Sequence, residues 1–195
     1  MKEITEKPSS DINLRIARRV AGLRAEREMS LEALATRCNV SRSMISLIER
    51  GESSPTAVVL EKLAKGLGVT LASLFEDPRE DASPLARRSE QLEWKDPQSG
   101  YLRRNVSPPH FRSPIQIVEV VFPPGASVAY EAGTRDTDIQ QQIWMLEGSM
   151  EITIGGQQCS LHEGDCLAMR EDQAVQYQNT TGKAARYVVV INSDF

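Results

Sequence analysis

The side chains able to do specific chemistry are spread unevenly along this chain. From Asn39 to Pro55 the sequence reads NVSRSMISLIERGESSP: a turn, a capping serine, one short helix and a glycine stop. Apolar Val40, Ile45 and Ile48 alternate there with Ser41, Ser43 and Ser46, and Arg42 and Arg50 supply positive charge. Hydroxyl and guanidinium groups are hydrogen-bond donors. On a helix with no charged solubilising stripe, they suit a face that lies against something else. Elsewhere the reactive residue types are sparse. Three cysteines (Cys38, Cys159, Cys166) are an odd number without CxxC spacing, which speaks against a disulfide framework or a zinc knuckle. A reduced cytoplasm is the expected compartment.

The elements that position these residues fall into two textures. The chain has 195 residues, 40% hydrophobic and 26% charged, ordinary values for a globular protein of one large or two small domains. No apolar run is long enough to span a membrane, and the polar N-terminus is not a secretory signal. Net charge is −4, but it is distributed unequally. From Asp11 to Gly51 there are eight Lys/Arg and five acids, a surplus of +3; from Pro78 onward there are 11 basic and 16 acidic residues. A basic first part and an acidic second part predict two domains with different partners.

Residues 1–77 read as helices. Ile12, Ile16, Val20 and Leu23 recur at helical spacing behind Asp11 as N-cap. Ser30 opens a second helix, Ser41 a third that Gly51 ends, and Val59, Leu60, Leu63 and Ala64 mark a fourth. Leu71 to Phe75 predicts a short fifth. Residues 78–88 are polar, charged and proline-punctuated, a linker. Residues 89–195 hold short Val-, Ile- and Tyr-rich runs at about ten-residue spacing with Gly- and Pro-containing turns, the pattern of an all-β barrel or sandwich.

Two short helices joined by a tight turn inside a helical bundle have the geometry of a helix-turn-helix. SLEALATRCNVSRSMISLIERGESSP followed by VVLEKLAKGLGV resembles the lambda-repressor-like, or Xre-type, helix-turn-helix family over Asp11 to Phe75. The resemblance implies an all-α, five-helix DNA-binding domain whose third helix lies in the major groove. Carried over residue by residue, Ser41 caps the reading helix, Arg42, Ser43, Ser46 and Leu47 face the bases, and Ile45 and Ile48 point into the bundle. The groove is about 12 Å wide and admits one helix, and Arg42 in the first turn is placed for guanine O6 and N7. Leu47 suits a thymine methyl. Ser30 and Ser41 suit phosphate at helix starts, and Arg18, Arg19 and Arg50 sequence-blind backbone contacts. Arg24 and Glu49 occupy positions that in the family pair across the bundle, and Cys38 reads as a small buried residue. One such bundle offers few contacts, so a homodimer reading two half-sites about 34 Å apart on a double-stranded DNA operator is expected.

The second half resembles the cupin family, a double-sheet (double-stranded β-helix, jelly-roll) barrel, over Ser89 to Phe195. The scaffold positions are Pro124-Gly125, Gln141 to Gly148, Leu161 to Asp165, and Asn179. The family's metal ligands are replaced: its two first-motif histidines fall on Glu131 and Gly133, its glutamate on Gln141, and its second-motif histidine on Val175. A divalent transition metal wants three or four imidazole, carboxylate or thiolate ligands, so no metal and no cofactor are expected. His110 and His162 read as surface residues. TRDTDIQ (134–140) lengthens the first motif. Strand alternation places Gln141, Ile143 and Met145 on one inward face. Tyr130, Glu131, Tyr177 and Arg104, the last sharing a face with Leu102 and Val106, are candidates to converge on a small-ligand cavity, where an inward arginine suits a carboxylate. Trp144 on the opposite face belongs to core or dimer interface, and Cys159 and Cys166 to β-core packing. The leading expectation is a transcription regulator, not an enzyme, whose cupin domain dimerises and senses a small metabolite. A metal-dependent enzyme fused to a DNA-binding module, and a regulator whose barrel only dimerises, are the alternatives.

Overall fold

The computed structural model describes residues 9–76, 83–109, 111, 113–132 and 139–193. Among these residues four α-helices come first: α1 (Ser9–Glu26), α2 (Leu31–Cys38), α3 (Arg42–Glu49) and α4 (Ala57–Leu67). Side-chain caps set three of the starts. Ser30, Ser41 and Thr56 each sit in extended backbone and accept a hydrogen bond from the amide three residues on, satisfying a helix-terminal donor that nothing inside the helix reaches. The tight break between α2 and α3 uses Asn39 at φ 52°, a left-handed conformation asparagine tolerates better than most residues. α1 begins before Asp11, so that residue is not its N-cap.

Ile16 and Val20 of α1, Leu34 of α2, Ile45 and Ile48 of α3, and Leu60 and Leu63 of α4 are buried together. α4 crosses α2 closely at Gly66, where an added Cβ would stand 2.6 Å from the Cβ of Cys38. The expected fifth helix is instead a single 3-10 turn, Ala72–Phe75. Thr70 organises it, its hydroxyl accepting from the Ser73 amide at 3.2 Å and lying 2.9 Å from the Ser73 hydroxyl. A five-residue segment is too short to gain from α-helix propagation.

A second 3-10 turn (Arg88–Glu90) straddles the end of the expected linker; residues 78–82 of that linker lie outside the described residues. Among the described residues ten strands follow: β1 (Glu93–Lys95), β2 (Leu102–Asn105), β3 (Ile115–Phe122), β4 (Ser127–Tyr130), β5 (Ile139–Glu147), β6 (Ser149–Ile154), β7 (Gln157–His162), β8 (Cys166–Arg170), β9 (Val175–Gln178) and β10 (Ala185–Ser193). All pairings are antiparallel. They build a six-stranded sheet, β1-β2-β3-β10-β5-β8, and a four-stranded sheet, β4-β9-β6-β7. The expected barrel is therefore two separate sheets, closed by side-chain packing between their inner faces and not by one continuous ring of hydrogen bonds. Of the 134–140 insert, Ile139 and Gln140 belong to β5; the rest lies outside the described residues.

β5 alternates strictly, with Ile139, Gln141, Ile143 and Met145 buried and Gln140, Gln142 and Trp144 exposed. Trp144 is 51% exposed on the outer face and is not core. Cys166 is likewise exposed, opposite Trp144 on β8, and Cys159 is half-buried, so neither thiol is a β-core residue. Cys38 is buried, and burial pushes its thiol up, away from reactivity.

The two units share one hydrophobic core. Phe75 at the end of the helical unit meets Trp94 of β1 (5.7 Å between ring centroids), and the contact continues through Tyr101 and Phe122 to Tyr187. Polar contacts reinforce the seam. The buried Asp96 carboxylate, in the β1–β2 turn, accepts from the Ala57 amide at 2.9 Å and so completes the start of α4. Lys62 of α4 pairs with Glu131 at 3.1 Å, and Lys65 donates to the Glu131 carbonyl at 2.6 Å.

Candidate nucleic-acid interface and interior cavity

The first turn of α3 lies at an exposed edge of the helical unit. Ile45 and Ile48 are buried, which turns Arg42, Ser43 and Met44 outward together with the cap Ser41. Ser46 and Leu47 are half-buried on the flanks. The Ser41 hydroxyl accepts from the Met44 amide at 3.2 Å and lies 3.2 Å from the Ser43 hydroxyl. The Ser30 hydroxyl accepts from the Ala33 amide at 3.0 Å at the exposed start of α2. Each cap satisfies one amide; the Ser30 proton is left for an outside acceptor, and the paired Ser41 and Ser43 hydroxyls together leave one. Arg50 is exposed but engaged: its guanidinium grips Glu52 through two 2.9 Å bonds and also donates to Ser46. That pairing raises the Arg50 pKa and lowers that of Glu52. Reaching a phosphate would mean exchanging Glu52 for it.

Two further arginines divide. Arg18 is exposed, whereas Arg19 donates to the Ser73 carbonyl at 3.1 Å and lies 3.8 Å from Glu76, anchoring the 3-10 turn. Behind α3, Arg24 forks onto Glu49 at 2.7 and 2.8 Å and donates to the Met29 carbonyl at 2.9 Å. The hydrogen bond to Glu49 raises the Arg24 pKa. This pair ties α1 to α3 and fixes the angle at which α3 is presented. Met44, 36% exposed in the middle of the outward face, escaped the sequence reading because a methionine between polar residues reads as core.

The second site lies inside the sheets, against the helical unit. A cavity of about 70 Å³ is lined by Tyr130, Gln141 and Tyr177 of the expected set, together with Tyr101, Arg103 and Tyr187. α4 contributes Glu61 and Lys65 to its wall, and Leu71 follows them. Ile143 and Met145 share the inward face of β5 and are fully buried, but they are not among the cavity-lining residues. Glu131 is not there either; its carboxylate is turned to Lys62. Arg104 is the substantive correction. It faces the outer side of the six-stranded sheet, where it pairs with Glu119 in a cluster that includes Arg186 and Glu147, and burial lowers its pKa. Leu102, used to set the phase of β2, stands opposite Val121 on that same outer face. With period-two alternation a one-residue error inverts every side chain, so the inward arginine is Arg103. Its Nε and Nη2 are buried with no protein hydrogen-bond partner, and its guanidinium carbon lies 6.0 Å from the Phe75 ring centroid.

Burial pushes the Tyr101, Tyr130, Tyr177 and Tyr187 hydroxyls up, so all four are protonated donors at neutral pH. The Tyr101 and Tyr130 hydroxyls are 3.3 Å apart. Gln141 donates to Glu171. At the positions where the cupin pattern has metal ligands, the cavity wall carries the amide of Gln141 and the aliphatic Val175. No group of His, Cys, Asp or Glu among the described residues is arranged to hold a metal, and an amide with a valine does not make a transition-metal site. His162 is an exposed residue whose Nδ1 lies 3.0 Å from the Ser149 hydroxyl; His110 lies outside the described residues.

A capped α2–turn–α3 unit on a helical head, followed by paired antiparallel sheets around a cavity, defines a helix-turn-helix protein with a C-terminal β domain. Residues 20–74 match the helix-turn-helix family and residues 118–191 the cupin domain family, so the chain combines a helix-turn-helix domain with a cupin domain. Among similar proteins, the HTH-type transcriptional regulator SutR of Escherichia coli K12 is 29% identical over 164 residues, 80% of this chain and 83% of the relative. Control protein C.MunI of a Mycoplasma species is 38% identical over 69 residues, 35% of this chain and 93% of its own. PuuR of E. coli K12, also an HTH-type transcriptional regulator, is 23% identical over 181 residues, 92% of this chain and 95% of its own. The crystal structure of an HTH_3 family transcriptional regulator from Vibrio cholerae superposes with a TM-score of 0.76 at 24% identity, covering 96% of this chain and 100% of that one, which establishes the shared fold. No helix among the described residues is long and apolar enough to cross a membrane.

Proposed function

We propose that this regulator binds a specific duplex operator as a homodimer and that its cupin domain responds to a small metabolite. The observation that carries the reading is the outward first turn of α3, with Arg42, Ser43 and Met44 exposed while Ile45 and Ile48 lock the opposite face into the bundle. A short, small-residue helix edge of this kind can seat in a major groove. Arg42 then reads a guanine edge in two hydrogen bonds, while Ser30 and Ser41 donate to phosphate and fix register. Ser46 and Leu47 flank the contact, and Arg50 joins it by trading Glu52 for the DNA backbone.

Dimerisation is supported by the outer face of the six-stranded sheet. There Trp144, Val188 and Val190 stand beside Ile115 and Ile117, solvent-facing to differing degrees. Apolar faces of this kind mark interaction sites, and a two-fold pairing across this face would hold two heads at operator spacing. Sensing is supported by the cavity, which the surrounding side chains leave unfilled next to α4.

The test is selection of duplexes from a random pool by the full-length protein. The expected result is an inverted repeat with half-sites one helical turn apart, whose recognition Arg42→Ala weakens. A selection that yields no sequence preference refutes the reading.

A further inference from the structure

Arg103 is a charge out of place. It is 7% exposed, lines the interior cavity, and has two guanidinium nitrogens with no protein partner. Its neighbour Arg104, also buried, is paired with Glu119. A buried guanidinium with unmet donors is strongly unfavourable, and the aromatic face of Phe75 offsets only part of that cost. The wall also carries two carboxylates, but each has a partner of its own: Glu61 pairs with Lys65 at 3.9 Å and Glu171 accepts from Gln141. Tyr101, Tyr130 and Tyr177 bring protonated hydroxyls to the same cavity wall. Fixed donors around an arginine fork complement an oxyanion. Val128, Val175 and Ile191 line the rest, which calls for a carbon skeleton and not a bare inorganic ion. The size is restrictive. Benzene occupies an engineered cavity of about 150 Å³, so about 70 Å³ holds only a few heavy atoms.

We propose that the cavity binds a small organic carboxylate, held by the Arg103 fork and the tyrosine hydroxyls, and that this ligand is the metabolite the regulator senses. The inference rests on the sensing role proposed above and gives it a chemistry. It also supplies the link to the DNA-binding head. Glu61 and Lys65 of α4 form part of the cavity wall, and α4 is packed on α2 next to the reading helix. A bound carboxylate adds a negative charge beside Lys65, whose ammonium also holds the Glu131 carbonyl of the sheet domain. Occupancy therefore shifts the balance of contacts across the seam, and with it the placement of the head.

The experiment uses full-length protein. Calorimetry and thermal shift are run against acetate, propionate, pyruvate and alanine. Acetamide and propionamide serve as uncharged isosteres, and inorganic phosphate and sulfate as alternative oxyanions. At least one carboxylate is expected to bind, with its amide counterpart and the inorganic ions inert. Arg103→Met should weaken that binding by about 10–100-fold, the loss of charge-assisted hydrogen bonds, with an unchanged circular dichroism spectrum. Arg104→Gln, altering the outer face, should leave it unchanged. The proposal is overturned if no carboxylate binds, if the amides or inorganic ions bind equally, or if Arg103→Met binds as the parent does. Operator binding is measured in parallel. Intact operator recognition without carboxylate binding sinks this proposal alone, and carboxylate binding without operator recognition sinks the DNA reading alone.

Discussion

Arg24 and Arg42 lie on α1 and α3 of the same small bundle, yet replacing each by alanine should have opposite consequences. Arg24 has three engaged contacts, two to Glu49 and one to the Met29 carbonyl, and the pair is largely buried, with side-chain exposures of 21% and 11%. Hydrogen bonds to charged groups contribute about 1.5–3 kcal/mol each, and breaking a fully buried ion pair costs about 3–5 kcal/mol. The Arg24 side chain is 21% exposed, and solvent screens part of the interaction. The expected loss is about 2–3 kcal/mol. In a chain of this length each kcal/mol lowers the melting temperature by about 2–4 °C, giving a fall of about 4–12 °C. Arg42 is exposed. Its removal should change stability by no more than about 0.5 kcal/mol. Specific binding should weaken by about 1–3 kcal/mol per half-site, about 5–150-fold. Thermal melts by circular dichroism and anisotropy titrations against selected and scrambled duplexes separate the two effects. The reasoning is refuted if Arg42→Ala melts as low as Arg24→Ala, or if Arg24→Ala melts with the parent protein.

Three further outcomes are expected. Asp96→Ala removes the acceptor for the Ala57 and Ser99 amides and should cost about 2–3 kcal/mol in a urea melt, with Asp96→Asn recovering part; equal stability of parent and Asp96→Ala would contradict the assigned cap. All four tyrosines of the chain are buried with pKa values raised above the unfolded value of about 10. Their contribution to stability is complete below that pH and is lost as pH rises toward the folded values, because only the unfolded chain releases those protons. Phenolate absorbance should therefore appear together with loss of circular dichroism, and phenolate forming in a still-folded protein would contradict the burial. Trp144→Glu should yield a monomer by sedimentation with an unchanged far-ultraviolet spectrum; an unaltered mass places the dimer contact elsewhere.

The helical head was legible because its signals are local. Ser30 and Ser41 are caps read within three residues of their targets, and the apolar spacing marked all four helices, although α1 starts before the expected cap Asp11. The fifth helix failed because the Leu71–Phe75 turn is held by Thr70 and by contact with the sheet domain, neither of which is periodic. The cavity was half legible. Gln141 and Tyr177 follow from alternation along strands with clear phase, but LRRN in β2 has no alternation to read, and Leu102 gave the wrong parity. Glu61, Lys65 and Leu71 could not be found at all from strand patterns, since they reach the cavity from the other half of the chain. Glu131 was placed by motif alignment and lies instead at the seam.

The completion of α4 by Asp96 has an evolutionary corollary. Regulators of two parts are often imagined as freely recombinable, one head exchanged for another over a common base. Here a crossover placed between residues 76 and 93 would give the incoming head a helix whose opening amide awaits a carboxylate in foreign sequence. Viable chimeras would have to bring the β1–β2 hairpin along with the head or find an acidic residue already in register beneath it. In this chain the head and the first hairpin accordingly form one structural unit, tied by a buried hydrogen bond that a division of the chain into helical and β segments would cut.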